Sequence, residues 1–172
     1  MKQLHKKVLI IGAGPVGCYT SMLLSGAGHF DITVYDQKKI PGLPFQCTGI
    51  LTSSISDVLL NTKPGIILPR SLIINRLSSV KLSCQNKTLS IPSTDIVIDR
   101  IGFDRFFYNH AKKMGVVFKL NSILLDIRKD HAVVLDKKTK KRFTHKFDIL
   151  IGADGPCSQV AKNINHRKPK QA

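Results

Sequence analysis

An α/β fold built on a parallel sheet is predicted by three features of the sequence, and they occur in the order such a fold requires. The first is the apolar run Lys7-Val8-Leu9-Ile10-Ile11, which opens onto Gly12-Ala13-Gly14-Pro15-Val16-Gly17, glycines spaced Gly-x-Gly-x-x-Gly. The second is another short strand, Ile32-Thr33-Val34-Tyr35, closed by Asp36 about twenty residues on. The third is a late apolar run, Asp148-Ile149-Leu150-Ile151, that ends in Gly152-Ala153-Asp154-Gly155.

Each feature has a physical reading. Val8 to Ile11 suit a strand buried on both faces. Gly12 lets the chain turn sharply, Gly14 lets backbone approach a pyrophosphate, and Gly17 allows a helix to pack closely on the strand. That helix begins at Pro15 and aims its free N–H groups and the positive end of its dipole at the phosphates. The small Ser21 and then Gly28 precede the second strand, and Asp36 is placed to accept hydrogen bonds from the ribose hydroxyls of an adenosine. A basic start followed by an apolar run also fits a signal peptide, but Pro15 and Gly17 interrupt that run. These residues define a dinucleotide site without choosing between FAD and NAD.

The remaining elements follow in order. Residues 37–51 read as a loop, broken by Pro41, Gly42, Pro44 and Gly49, and Ser54 to Leu60 as a short helix. Short strands are expected at Leu72-Ile73-Ile74, Val80 to Cys84, Thr88 to Ile91 and Ile96-Val97-Ile98, forming a β-rich insertion at about 62–99. Phe103 to Met114 carries Phe103, Phe106, Phe107, His110 and Ala111 at helical spacing, with Gly115 as its cap. Val116-Val117-Phe118 is a strand. Ser122 to Arg128, Ala132 to Leu135 and Arg142 to Phe147 form an antiparallel meander, joined by turns at Lys129-Asp130 and Lys137-Lys138. After Gly155, Pro156-Cys157-Ser158 followed by Gln159 reads as a capped helix start rather than the returning strand of an Asp-Gly hairpin.

Composition bounds the partners. The 172 residues give room for one domain with a proper core, and the 42% hydrophobic content fits a globular protein. No apolar stretch reaches the roughly 20 residues of a membrane-spanning helix. A formal charge of +16 and a pI near 10.0 favour anionic partners: nucleic acid, an acidic membrane surface or a phosphate-bearing ligand. The charge concentrates in Lys137-Lys138-Thr139-Lys140-Lys141-Arg142 and in the tail 163–172, where a solvated turn and a frayed end are the plainer readings. No helix-turn-helix, zinc-finger or aromatic RNA-binding motif accompanies it, which argues against specific nucleic-acid binding. The four cysteines, Cys18, Cys47, Cys84 and Cys157, include no Cys-x-x-Cys pair, and the six histidines are scattered, so no metal site is expected. Reduced thiols in a cytosol are the default.

Asp99-Arg100-Ile101-Gly102-Phe103-Asp104-Arg105 stands at the entry to the long helix. Arg100 suits planar, bidentate hydrogen bonding to a phosphate or ribityl group, and Asp104 favours the helix N-terminus, with surface ion pairing as the simpler alternative. With these residues, Pro44-Phe45-Gln46-Cys47-Thr48-Gly49 and Gly152-Ala153-Asp154-Gly155-Pro156-x-Ser158, the sequence resembles the geranylgeranyl reductase family of FAD-dependent oxidoreductases. Aromatic hydroxylases and halogenases are broader relatives of that fold. The Pro-x-x-Cys-x-Gly loop is the segment most similar to the reductases.

The resemblance implies a Rossmann-like FAD-binding domain with a parallel sheet, a β-meander crossover and inserted β-strands, its substrate domain largely absent. It implies an incomplete FAD-binding domain over 1–162 and a basic C-terminal tail over 163–172. By resemblance Gly12, Gly14, Pro15, Gly17 and Asp36 would bind the ADP part of FAD, and Cys47, Thr48 and Gly49 would lie by the flavin. Arg100 and backbone near Leu124 would contact the cofactor, and Asp154 and Gly155 would support the pyrophosphate and ribityl region. The small buried residue that an isolated cysteine usually is remains the alternative for Cys47. Asp36 stands where the family more often has glutamate. The implied activity is reduction of isoprenoid C=C bonds of geranylgeranyl lipids; a flavin monooxygenase and a nucleotide-binding fragment without activity of its own are the alternatives. Implied partners are an isoprenoid lipid, an electron donor, an anionic membrane surface at the inner face and a complementary C-terminal half.

Overall fold

The apolar run at Val8 to Ile11 becomes the centre of a parallel sheet, because a strand buried on both faces needs a hydrogen-bonded neighbour on each side. The structure, a computed structural model, describes residues 5–44, 46–52, 54–55, 58–59 and 65–164. It divides into two units, residues 1–44 with 104–172 and residues 45–103.

In the first unit β1 (Lys6–Ile11) pairs in parallel with β2 (Phe30–Tyr35) on one side and, on the other, with β12 (Ile149–Gly152), the last strand among the described residues. The strand β8 (Val117–Lys119) extends the sheet beyond β2, giving the order β12-β1-β2-β8. The helix α1 (Pro15–Gly26) crosses from β1 to β2 and buries Gly17, Cys18, Ser21 and Met22, the stripe that a period of 3.6 turns inward. A second helix, α2 (Arg100–Lys113), reaches this unit with its Asp104 end and beyond, and its Phe107 meets Tyr19 of α1 edge to face at a centroid distance of 5.9 Å.

The opposite face of the sheet is covered by the expected meander of β9 (Ser122–Ile127), β10 (His131–Asp136) and β11 (Arg142–Lys146). Leu9, Ile11 and Tyr35 pack there with Leu124, Ala132 and Val134, and with Val160 from the short helix α3 (Gln159–Asn163). Because side chains alternate along a strand, Val8 and Ile10 are left for the other face. The meander carries the chain from β8 back to β12, so that β12 arrives parallel to β1.

The second unit holds β3 (Ile50–Leu51), β4 (Ile73–Arg76) and β7 (Ile96–Ile98) in a sheet of order β3-β7-β4, and a hairpin of β5 (Ser79–Cys84) with β6 (Lys87–Pro92). The insertion is therefore β-structure, as its alternating pattern predicts. Several boundaries differ, these among them. Ile50 and Leu51, expected in a loop, form a strand on β7. Residues 70–72 make a 3-10 turn, so the strand there begins at Ile73. The long helix begins at Arg100 rather than Phe103, because Asp99 caps it: its carboxylate accepts the Gly102 N–H at 3.0 Å. Of the expected helix at 54–60, Ile55, Val58 and Leu59 are helical while residues 56, 57 and 60 lie outside the described residues, as do residues 165–172 of the expected tail at 163–172.

Phe107 is among the largest fully buried side chains and touches both Tyr19 and Phe106. Phe107→Ala should lower unfolding stability by about 3–5 kcal/mol in urea titration, whereas a loss below about 1 kcal/mol would mean that this contact is not part of the core.

Candidate functional site

The carboxyl ends of β1 and β12 lie side by side, with Ile11 opposite Gly152, and the loops that follow them are packed together. The Ala153 N–H donates to the Ile11 carbonyl at 2.7 Å, and the Gly12 N–H donates to the Tyr35 carbonyl at 2.7 Å. Gly12 has φ +109°, and a Cβ on it would run into the Ala153 carbonyl. A Cβ on Gly17 would run into the Gly12 carbonyl. Two of the motif glycines are thus required by the chain itself.

Gly14 is different. Its φ of −70° and ψ of 177° suit any residue, and an added Cβ would meet no atom within 4 Å. Nothing among the described residues asks for glycine here. The open space belongs to a groove lined by Ala13, Gly14, Asp36, Lys38, Pro41, Gly42, Asp104 and Leu120. Gly14 is also the N-cap of α1, where it offers no side-chain cap, Pro15 follows in the first turn, and no acidic residue is present. The helix therefore presents its positive end to this groove with no side-chain cap and no acid of its own, the groove's carboxylates being those of Asp36 and Asp104.

Asp36 closes one side of this groove. One of its carboxylate oxygens accepts the Ala13 N–H at 2.6 Å and the other accepts the Lys38 N–H at 2.7 Å. Those bonds tie the end of β2 to the glycine loop and fix the carboxylate's orientation. Each oxygen has a second lone pair, which leaves acceptor capacity for ribose hydroxyls. The space at Gly14, the uncapped helix and the oriented acid fit a nucleoside diphosphate: phosphate against backbone donors, ribose against Asp36. ADP is the portion that FAD and NAD share.

Beneath the groove lies Cys18, whose thiol donates to the Ala13 carbonyl at 3.4 Å. Burial pushes this thiol up to about 12, and the Asp104 and Asp36 carboxylates add to the shift. It remains a neutral packing group at physiological pH rather than a nucleophile.

The other residues singled out in the sequence divide by place. Asp154 follows β12 in the loop that packs on Gly12, but its carboxylate serves α3: one oxygen accepts the Ser158 hydroxyl at 2.6 Å, the other the N–H groups of Gln159 at 2.6 Å and Val160 at 3.2 Å. Ser158 caps the same helix through the Ala161 N–H, as its position in the sequence predicts. Gly155 has φ +81° and open space around it. Leu124 is a core residue paired with Val134 and does not line the groove. Cys47, Thr48, Gly49 and Arg100 belong to the second unit. There Gly49 has φ +76°, its carbonyl accepts the Ile98 N–H at 2.9 Å, and a Cβ on it would lie 2.7 Å from the Ile98 carbonyl oxygen. Its own N–H is directed at the Cys47 sulfur at 3.5 Å. Phe45, the second residue of this motif, is outside the described residues. Among the described residues no cluster of His, Cys, Asp and Glu is arranged to hold a metal.

Lys38 and the buried Asp104 are groove residues whose place the sequence reading missed. For Lys38 a signal existed: it lies two residues beyond Asp36, within reach of an Asx turn. Asp104 was noted only as a helix-terminal charge.

A parallel sheet with a glycine loop, an uncapped helix and an acid ending the second strand defines a dinucleotide-binding domain of the Rossmann type. Comparisons with known proteins narrow the class. No family model matches the chain. An uncharacterised protein of the nifH2 5′ region of Methanosarcina barkeri is 26% identical over 165 residues, 91% of this chain and 86% of that one. Digeranylgeranylglycerophospholipid reductases 1 of Methanothermobacter thermautotrophicus and 3 of Methanosphaera stadtmanae are 26% and 29% identical over 90% and 94% of this chain. This chain spans 40% and 43% of those two reductases. Among solved structures, a geranylgeranyl bacteriochlorophyll reductase-like protein of Thermoplasma acidophilum superposes with a TM-score of 0.75 at 19% identity, over 88% of this chain and 40% of that one. The flavin-dependent halogenase CmlS shares the fold, with a TM-score of 0.72 at 20% identity, over 94% of this chain and 31% of that one. The chain is thus similar to less than half of the length of two digeranylgeranylglycerophospholipid reductases and shares its fold with a geranylgeranyl reductase-like protein.

The buried thiol gives a direct test of the groove floor. At pH 8 iodoacetamide should modify the exposed Cys84 and Cys157 but not Cys18 in the folded protein. The unfolded thiol ionises near 9 and the folded one near 12, so its contribution to stability is complete below pH 9 and declines from there toward pH 12. Mass spectrometry after a timed pulse reads the outcome; rapid labelling of Cys18 at pH 8 would contradict the assignment.

Proposed function

We propose that this chain is the FAD-binding portion of an oxidoreductase that reduces isoprenoid C=C bonds of geranylgeranyl lipids. The observation that carries the reading is Gly14, a glycine that nothing inside the protein requires, beside an uncapped helix and an oriented aspartate. The names of the two reductase relatives support the lipid class.

The chemistry the cofactor supplies when bound is hydride transfer to an alkene carbon. The chain's own residues bind and orient. Backbone donors at the start of α1 meet the pyrophosphate, with Pro15 presetting the first turn. Asp36 holds the adenosine ribose through its remaining lone pairs. Asp154 supports the pyrophosphate side indirectly, by holding α3 while the carbonyl of its neighbour Ala153 braces Gly12. Cys47, Thr48, Gly49 and Arg100 are assigned to the flavin end, and the backbone near Leu124 to a further cofactor contact. No helix among the described residues is long and apolar enough to cross a membrane. Access to a lipid is assigned to peripheral contact, with the basic turn at Lys137 to Arg142 suited to anionic head groups.

A flavin monooxygenase is the second reading, favoured by the shared fold with a flavin-dependent halogenase. Anaerobic alkene reduction by the reconstituted protein separates the two, since a monooxygenase consumes oxygen and leaves the alkene unreduced without it.

The cofactor assignment is tested by Gly14→Ser. Serine is a preferred N-cap, so the variant should melt no lower than the parent protein. Its side chain enters the space left for the pyrophosphate, and FAD affinity by calorimetric titration should fall at least tenfold, about 1.4 kcal/mol. Unchanged affinity in a folded Gly14→Ser protein would remove the assignment. Gly17→Ala is the contrasting variant: a methyl group against the Gly12 carbonyl should destabilise the fold itself.

A further inference from the structure

The turn between β10 and β11 is built rather than loose. One oxygen of the Asp136 carboxylate accepts the N–H groups of Lys138 at 2.7 Å and Thr139 at 3.0 Å. The Lys140 N–H donates to the Asp136 carbonyl at 2.8 Å, and the Asp136 N–H donates to the Lys141 carbonyl at 3.0 Å. These bonds hold Lys140 at φ +59°, in the left-handed region that glycine or asparagine enters at less cost. A turn that served only to join two strands would place one of those residues there. This one places a lysine, in a run where five of the six residues 137–142 are cations.

That charge is left open to solvent. Lys138, Lys140, Lys141 and Arg142 are exposed and make no ion pair among the described residues. The other acids of the meander are engaged toward its opposite end, Asp126 with Arg128 at 2.7 Å and Asp130 with His131 at 2.8 Å. Lys137 anchors the turn instead: its ammonium donates to the Gln37 carbonyl at 3.1 Å and its N–H to the Asn121 carbonyl at 2.9 Å. The loop that receives it carries the exposed Lys39 and Ile40, the isoleucine 42% exposed. Ala132 and Val134 point to the core, so Leu135 faces outward, between Ile123 of β9 and Arg142 of β11. Cations and apolar side chains thus share this end of the meander.

We propose that this turn, with the loop it anchors, is the surface on which the chain docks to an anionic lipid bilayer, its cations among the phosphates and its apolar side chains against the head-group layer. The proposal rests on the reading of the chain as part of a reductase of geranylgeranyl lipids and deepens it by naming the face that meets the membrane. A bilayer surface offers phosphate and hydrocarbon together, which matches cations flanked by exposed apolar groups. A nucleic acid offers this surface phosphate, and its bases need free rings on which to stack. Phe143, the aromatic residue next to the turn in sequence, packs instead on Tyr35 at a centroid distance of 6.2 Å. A second copy of this chain is disfavoured by its charge of +16, which repels its like.

The test floats the full chain with vesicles of phosphatidylcholine containing about 30 mol% phosphatidylglycerol, at about 0.15 M salt. The chain should rise with these vesicles and not with pure phosphatidylcholine, and about 1 M salt should release it. Lys140→Gly removes a charge and relieves the backbone, so the variant should melt no lower than the parent while binding about fivefold more weakly. Lys138→Gln with Lys141→Gln should weaken binding about thirtyfold. Lys112→Gln with Lys113→Gln, an equal loss of charge at the end of α2, should change it by less than about twofold. The vesicle assay needs no cofactor, so its failure and a failure of FAD titration are separate results. Absence of binding, equal binding to neutral vesicles, equal losses in the two double variants, or tighter binding to a mixed-sequence duplex DNA than to the anionic vesicles would each overturn the proposal.

Discussion

The contact between Gly12 and the carbonyl of Ala153 is the constraint on which the first unit depends. It joins the loop after the first strand to the loop after the last, and it exists only because β12 returns parallel to β1 and in register with it. A side chain at either Gly12 or Gly17 would push backbone apart at the one place where strand, loop and helix converge. The meander and α1 can be understood as what brings those strand ends together. The meander returns the chain to β12 and buries Leu9 and Ile11, while α1 fills the other face.

Once the loops are fixed, the electrostatics of the groove follow. The first turn of α1 carries no acid of its own, and the Asp36 carboxylate beside it accepts the Ala13 and Lys38 amides. Under the proposed function, a ligand with phosphates for the helix and hydroxyls for the acid would complete both. The same carboxylate, with Asp104, helps hold the Cys18 thiol neutral underneath. A cysteine directly after the glycine motif is here a packing residue.

The sequence made the local frame legible because its signals are local. Apolar runs, glycine spacing and a terminal acid placed β1, α1 and β2, and alternation placed the hairpin and the meander. Contacts between distant segments were not legible. Nothing near Asp154 says that its carboxylate will cap α3, and nothing near Ile50 says that a two-residue strand will find β7. The start of α2 was read too late because Gly102 weakens the helical pattern, while its cap, Asp99, lies further back. Asp104 looked like a solvated helix charge and is instead buried at the groove. Gly14 was legible as a glycine but not as an exception: only the space around it distinguishes it from Gly12 and Gly17.

That distinction also suggests the most direct test. Amide chemical-shift mapping during titration with ADP reports each donor separately. The shifts should concentrate at Ala13, Gly14, Val16 and Gly17 and at Lys38, with little change along the meander. Saturable shifts that avoid the glycine loop, or none at millimolar ADP, would contradict the claim that this loop, braced by Ala153, is built to hold a nucleoside diphosphate.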